Sequence, residues 1–99
     1  MILTKMDFLE RAHLDRQTLE VWIKEEWLIP TRAEHDLAFS EADLARAKLI
    51  RELTEDMGVN PEGVGIVLHL LDQVHGLRRA MAEVLKSIHQ RSGSTRGVP

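Results

Sequence analysis

Between Asn60 and the Ser92-Gly93 pair the chain holds no residue that decisively breaks a helix, and this run constrains the fold more than any other feature. Asn60 is a good N-cap, and Pro61 suits the first helical position, where no backbone N–H is needed. About thirty residues at 1.5 Å each make a rod of roughly 45 Å, longer than a domain of this size covers. Gly76 weakens the rod at its middle and marks the place where a kink or break would fall. Val67, Leu70, Val74, Leu77, Met81, Val84 and Ile88 occupy seven consecutive a and d heptad positions without a polar exception. That is the pattern of a coiled-coil seam. Ile66, Leu68 and Leu71 widen the apolar face in the first half only. The first half can therefore pack on its own domain, while the second half has one seam and needs a partner helix. The sequence predicts a homodimer through this helix; the alternative is a core helix folded back on the chain.

Upstream, short helices are read from caps and periodicity. Thr4 caps a first helix from about Lys5 to Ala12, with Asp7 three residues on and Phe8 and Leu9 on its apolar side. Asp15 caps a second, RQTLEVWIKEE, with Leu19, Val21 or Trp22, and Ile23 facing inwards. Only His13-Leu14 separates the two, the tight connection of a helix-turn-helix. Pro30 ends the helical pattern, and the weak alternation of WLIPTRAEHDLAF predicts an irregular or short two-stranded wing. Ser40 with Asp43 forms a capping box that opens a third helix from Glu41 to about Met57, carried by Leu44, Ala47, Leu49, Ile50 and Leu53. Gly58 is its expected C′ residue. The predicted fold is all-α: a head over residues 1–60, a long helix over 61–90, and a disordered tail over 91–99.

Composition narrows the function. The chain has 99 residues, 43% of them hydrophobic, enough for a modest core. There are no cysteines, which excludes disulfides, thiolate metal sites and cysteine nucleophiles and fits a cytoplasmic setting. MILTKMDFLERAHL is interrupted by charge too often for a signal peptide or a membrane span. The net charge of −3 divides into −7 over residues 1–75 and +4 over residues 76–99. An acidic head repels a phosphate backbone, the main source of affinity for DNA, and suits a basic partner. The five histidines lack paired metal-ligand spacing, and His69 and His75 do not share a helix face. No nucleophile–base pair, glycine-rich phosphate loop or secluded carboxylate pair is present, so no enzyme, metal or cofactor is expected. Trp22 reads as core; Trp27 reads as core or as an anchor at an interface.

TLEVWIKEEWLIP followed by FSEADLARAKLIRELTEDMGV resembles the winged helix-turn-helix of the MerR superfamily. The likeness runs through Thr18, Leu19, Trp22, Leu28, Pro30, Phe39, Ser40, Glu41, Asp43 and Leu44, all framework positions. Where the family carries an arginine after Thr-Leu, this chain has Glu20; where its wing carries arginines before the aromatic, it has Leu37 and Ala38; the turn glycine is Glu26. Losing several phosphate contacts costs orders of magnitude in DNA affinity. The framework is kept and the DNA face is dismantled.

One branch of that superfamily, the CbpM chaperone modulators, resembles this chain over nearly all its expected ordered length. The shared features are Phe8 and Leu19, Pro30, Phe39, the R-E-L-x-x-x-x-G-V string from Arg51 to Val59, and Pro61, Gly63, Leu68, Leu70, Leu71, Asp72, Val74 and Leu77. The resemblance implies binding to the J-domain of a DnaJ/CbpA-type co-chaperone and inhibition of its stimulation of DnaK. Glu20, Glu25, Glu26, Trp27, Glu34 and Asp36 are the candidate partner-binding residues, with Glu52, Glu55, Asp56 and Glu62 as an alternative acidic surface. The competing expectation is a DNA-binding regulator similar to the heat-shock repressor HspR, with Arg16, Gln17, Lys24 and Arg32 on DNA.

Overall fold

Strand β1 (Ile2–Thr4) leads directly into helix α1 (Lys5–Ala12) and helix α2 (Arg16–Lys24). Strands β2 (Thr31–Ala33) and β3 (Asp36–Ser40) follow, then α3 (Glu41–Arg51), a π-helical turn at Glu52–Asp56, and α4 (Pro61–Arg96). This computed structural model describes residues 2–96, with side chains as far as residue 91. The chain divides into two compact units, one ending at Gly65 and one beginning at Ile66.

Local chemistry sets the helix starts of the first unit. The Thr4 hydroxyl accepts from the Asp7 N–H at 3.2 Å, and the Asp15 carboxylate accepts from the Thr18 N–H at 2.7 Å. The Thr18 N–H and hydroxyl hold the Asp15 carboxyl below its usual 3.8. Between them His13 adopts a left-handed backbone (φ 55), and Leu14 N–H closes the turn on the Leu9 carbonyl at 3.0 Å. Ser40 and Asp43 form the reciprocal capping box, at 3.1 and 2.8 Å.

The all-α expectation is corrected by a three-stranded antiparallel sheet in the order β1-β3-β2. The wing pairs Ala33 with Asp36 and Arg32 with Leu37, and β1 lies on the other side of β3, pairing Leu3 with Phe39. Three residues are too few for strand alternation to register in a sequence, so β1 was legible only as the approach to the Thr4 cap. Its role is to bury Leu3 beside Phe39, whose ring stacks on Phe8 with centroids 4.2 Å apart and planes 15° apart. Leu19, Leu28, Ile50 and Val64 are the other large side chains that are fully buried. Arg51 reaches from α3 to the carbonyl of Ala12 at 3.1 Å, satisfying one of the open acceptors at the end of α1.

The third helix, expected to run to about Met57, widens into its π turn after Arg51, where the Met57 N–H donates to the Glu52 carbonyl five residues back at 3.0 Å. The Thr54 hydroxyl donates to the carbonyls of Ile50 (2.9 Å) and Arg51 (3.2 Å), competing with the backbone for those acceptors. The segment stops at Gly58, whose φ of +66 is the left-handed C′ conformation. Asn60 then accepts from the Gly63 N–H at 2.7 Å to start α4. A Cβ at Gly63 would stand 2.7 Å from Val59 Cγ1, so that position is held to glycine by close approach.

From Ile66 onward α4 is the sole element described. It continues through Gly76 without a break, and it passes Ser92-Gly93 to end at Arg96. It thereby takes in residues 91–96 of the tail expected to be disordered; residues 97–99 lie outside the described residues. Each added helical residue brings a hydrogen bond, and one glycine offsets that by only about 1 kcal/mol.

Candidate partner-binding surface

Helix α2 turns Leu19 and Trp22 into the core, and its period of 3.6 leaves the opposite side to solvent. Arg16, Glu20 and Lys24, at i, i+4 and i+8, form one exposed row, with Gln17 and Val21 beside it. Glu25 and Glu26 extend the row past the helix end, and the wing adds Arg32, Glu34 and Asp36, all exposed. Among the described residues no ion pair joins any of these charges. Carboxylates outnumber cations across the surface.

Two of those carboxylates sit on an unfavourable backbone. Glu26 has φ 61 and Glu34 has φ 57, left-handed values that L side chains adopt at a cost of roughly 1–2 kcal/mol. Glu34 is the first residue of the two-residue wing turn, a position where hairpins favour glycine. Glu26→Gly is expected to raise stability by up to about 1 kcal/mol after glycine's own entropy cost. In a thermal melt that is an increase of a few degrees. An unchanged or lower Tm would mean that the Glu26 side chain makes contacts that match the strain.

The reversal at Glu26 also places Trp27. Its N–H donates to the Trp22 carbonyl at 2.9 Å, and its ring lies 6.3 Å from that of Trp22. With 8% exposure and Arg46 Nε donating to its carbonyl, Trp27 is a core side chain. It is therefore removed from the partner-binding candidates. The sequence left Val21 and Trp22 as alternatives for the inner face; Trp22 is buried and Val21 is 53% exposed. Ile29, which sequence reasoning passed over, is 74% exposed beside the wing. Its only signal was an isoleucine between a buried leucine and a proline.

The alternative acidic surface has a different character. Glu52, Glu55, Asp56 and Glu62 are exposed, and the first three line a groove of about 630 Å³ between α1 and α3. Here Arg51 meets Glu55 at 3.1 Å, and Arg11 meets the neighbouring Glu41 at 3.6 Å, whereas no ion pair among the described residues joins Glu52, Asp56 or Glu62. On the α2 and wing side, none of Glu20, Glu25, Glu26, Glu34 and Asp36 is in an ion pair among the described residues. Among the described residues there is no cluster of three or more His, Asp or Glu side chains able to hold a metal ion. Nor is any described helix long and apolar enough to cross a membrane.

A family model described as "MerR HTH family regulatory protein" matches residues 3–86. The chain belongs to the MerR helix-turn-helix family. In that family frame α2 is the second helix of the motif, the one that helix-turn-helix proteins place in the major groove, and β2–β3 is the wing. The fold is similar to that of HiNmlR, solved as a MerR family regulator lacking the sensor domain and bound to promoter DNA. The TM-score is 0.63 at 17% identity, over 89% of this chain and 79% of that one. No curated protein matches. On this α2, Glu20 stands exposed at the centre of the outward row.

Proposed function

We propose that this MerR-family chain is a chaperone modulator: it binds the J-domain of a DnaJ/CbpA-type co-chaperone and inhibits its stimulation of DnaK. The observation that carries the reading is Glu20 in the centre of the exposed row of α2, with Glu25 and Glu26 just past the helix end and Glu34 and Asp36 on the wing, all exposed and in no ion pair among the described residues. A carboxylate there repels phosphate and attracts a basic protein surface. The resemblance to the chaperone-modulator branch supplies the identity of that protein. Charges at such a rim act mainly on encounter, so added salt should slow association more than it speeds release.

The protein works as a homodimer in this reading, joined along the second half of α4. All seven seam residues are exposed in the single chain, from 36% at Val67 to 68% at Leu77. A continuous apolar stripe of that length is stable in water once a second helix covers it.

Charge reversal tests the partner surface. Glu20→Lys with Glu26→Lys should weaken J-domain binding about tenfold or more by calorimetry, with helicity unchanged. Reversing Glu52 and Glu55 should change it little, and the opposite ranking would move the site to the π turn.

The second reading, an HspR-like DNA-binding regulator, is favoured by the DNA-bound structural relative and by the exposure of Arg16, Gln17, Lys24 and Arg32. It requires sub-micromolar, sequence-dependent binding of duplex DNA at about 0.15 M salt, where non-specific binders sit near 10⁻⁴–10⁻⁶ M. A retardation or polarisation titration giving that result would displace the chaperone reading.

A further inference from the structure

The side of α2 that carries Thr18, Val21, Trp22 and Glu25 borders a groove of about 500 Å³, lined also by Arg51, Thr54, Glu55 and Pro61. Trp22 and Trp27 are its buried base, 6% and 8% exposed, with ring centroids 6.3 Å apart. Leu14 is half-buried on its wall, and Val21 stands out at 53% exposure. The charges on these walls do not balance. Asp15, Glu25 and Glu55 line the groove with one guanidinium, Arg51, and with His13 as the remaining titratable group. That guanidinium is already held by Glu55 at 3.1 Å and by the Ala12 carbonyl at 3.1 Å. Asp15 and Glu25 are in no ion pair among the described residues.

The two indoles add a second, independent observation. Neither Trp22 nor Trp27 donates its ring N–H to any acceptor among the described residues, and neither N–H is sealed from solvent. Tryptophans buried this deeply ordinarily find an acceptor. The groove thus has two carboxylates without cations and two donors without acceptors.

We infer that this groove binds an extended basic segment of a protein, with a lysine or arginine at each end for Asp15 and Glu25 and an aliphatic side chain between them over Val21 and the tryptophans. The segment's own carbonyls supply acceptors for the indole N–H groups. Asp15 and Glu25 cap the two ends of α2, about 15 Å apart at 1.5 Å per residue. About five extended residues span that distance. A helical segment suits the groove less well, because its carbonyls are already bonded within the helix. An acidic segment or a phosphate backbone would set like charge against Asp15 and Glu25. This site goes beyond the J-domain reading and does not rest on it: Glu20, Glu26, Glu34 and Asp36 lie outside its walls.

The test uses the full chain and the emission of its two tryptophans, both of which line the groove. The probes are capped five-residue peptides with a central leucine between serines, ending in lysine and arginine, in two glutamines or in two glutamates. A fourth keeps the basic ends and has serine at its centre. The basic leucine peptide is expected to shift the emission saturably, and the other three to bind at least about tenfold more weakly. Glu25→Lys and Val21→Ser, both at exposed positions, should each weaken that peptide about tenfold or more. Glu10→Lys makes the same charge change at an exposed site outside the groove and should leave binding unchanged. Equal weakening by Glu10→Lys and Glu25→Lys would reduce the effect to net charge and overturn the site. Equal binding of the glutamine or glutamate peptide, indifference to Val21→Ser, or displacement of the peptide by duplex DNA would overturn it as well. Any of those results leaves the J-domain reading standing, whereas a chain that binds the basic peptide as expected but no J-domain keeps the groove and loses that partner.

Discussion

Met81→Glu is expected to leave the protein monomeric at tens of micromolar while its head stays folded. Met81 holds an a position near the middle of the seven-residue seam and is 65% exposed in the single chain. In the proposed dimer each protomer would bring one carboxylate into a desolvated apolar seam with no cation to receive it. Burying an unpaired charge costs several kcal/mol, and each 1.4 kcal/mol is about tenfold in the dissociation constant. The dimer should therefore weaken by at least about a hundredfold, which light scattering reads as a halved mass. Gln90→Glu places the same charge at an outer c position and should leave the mass unchanged. Near-ultraviolet dichroism reports the head separately, because Trp22 and Trp27 both belong to its core. A wild type already monomeric at these concentrations would sink the seam.

The parts of this fold that were legible in the sequence are those decided within one helical turn. Thr4, Asp15, Ser40 and Asn60 cap helices where their side chains, read with the residue three positions on, said they would. Gly58 terminates its segment for the same local reason. What was not legible depends on contacts made elsewhere. Strand β1 exists because β3 offers it an edge and Phe39 offers Leu3 a neighbour, neither of which three residues announce. The π turn reflects Thr54 bonding back to Ile50 and Arg51, a competition that an uninterrupted apolar period hides.

The candidate surface divides the same way. The outward row Arg16–Glu20–Lys24 follows from the helical period alone. Choosing between Val21 and Trp22 does not, since adjacent positions straddle the edge of the apolar face and the packing decides. Trp27 was harder still. Its burial turns on a left-handed Glu26, a conformation that glutamate disfavours and that a sequence reader has no reason to assign. The groove beside α2 joins Val21 and Trp22 to Arg51 and Pro61, so it exists only once the end of α3 and the start of α4 stand beside that helix.

That hairpin depends on one aromatic pair, and removing half of it is the most damaging single change expected in the head. Phe39 is 1% exposed on the central strand, paired in register with Leu3 and stacked on Phe8, which is fully buried. Phe39→Ala removes the ring from a site walled by two strands and a helix, where little can collapse into the space. Substitutions of this kind cost about 3–5 kcal/mol. A domain of this size has about 3–10 kcal/mol of stability in all, at roughly 0.05–0.15 kcal/mol per residue. The head should lose most of its margin, with a fall in Tm on the order of 15–30 °C. The loss should appear first in the tryptophan signals, which belong to the head, whereas helicity from the Ile66-onward unit would persist if the proposed dimer holds it. Phe39→Leu keeps the site apolar and should cost much less, about 1–2 kcal/mol. A Phe39→Ala variant melting within a few degrees of wild type would mean that the Phe8–Phe39 stack does not organise the sheet. The wing, and the surface it completes with α2, would then have to be held by something other than this core.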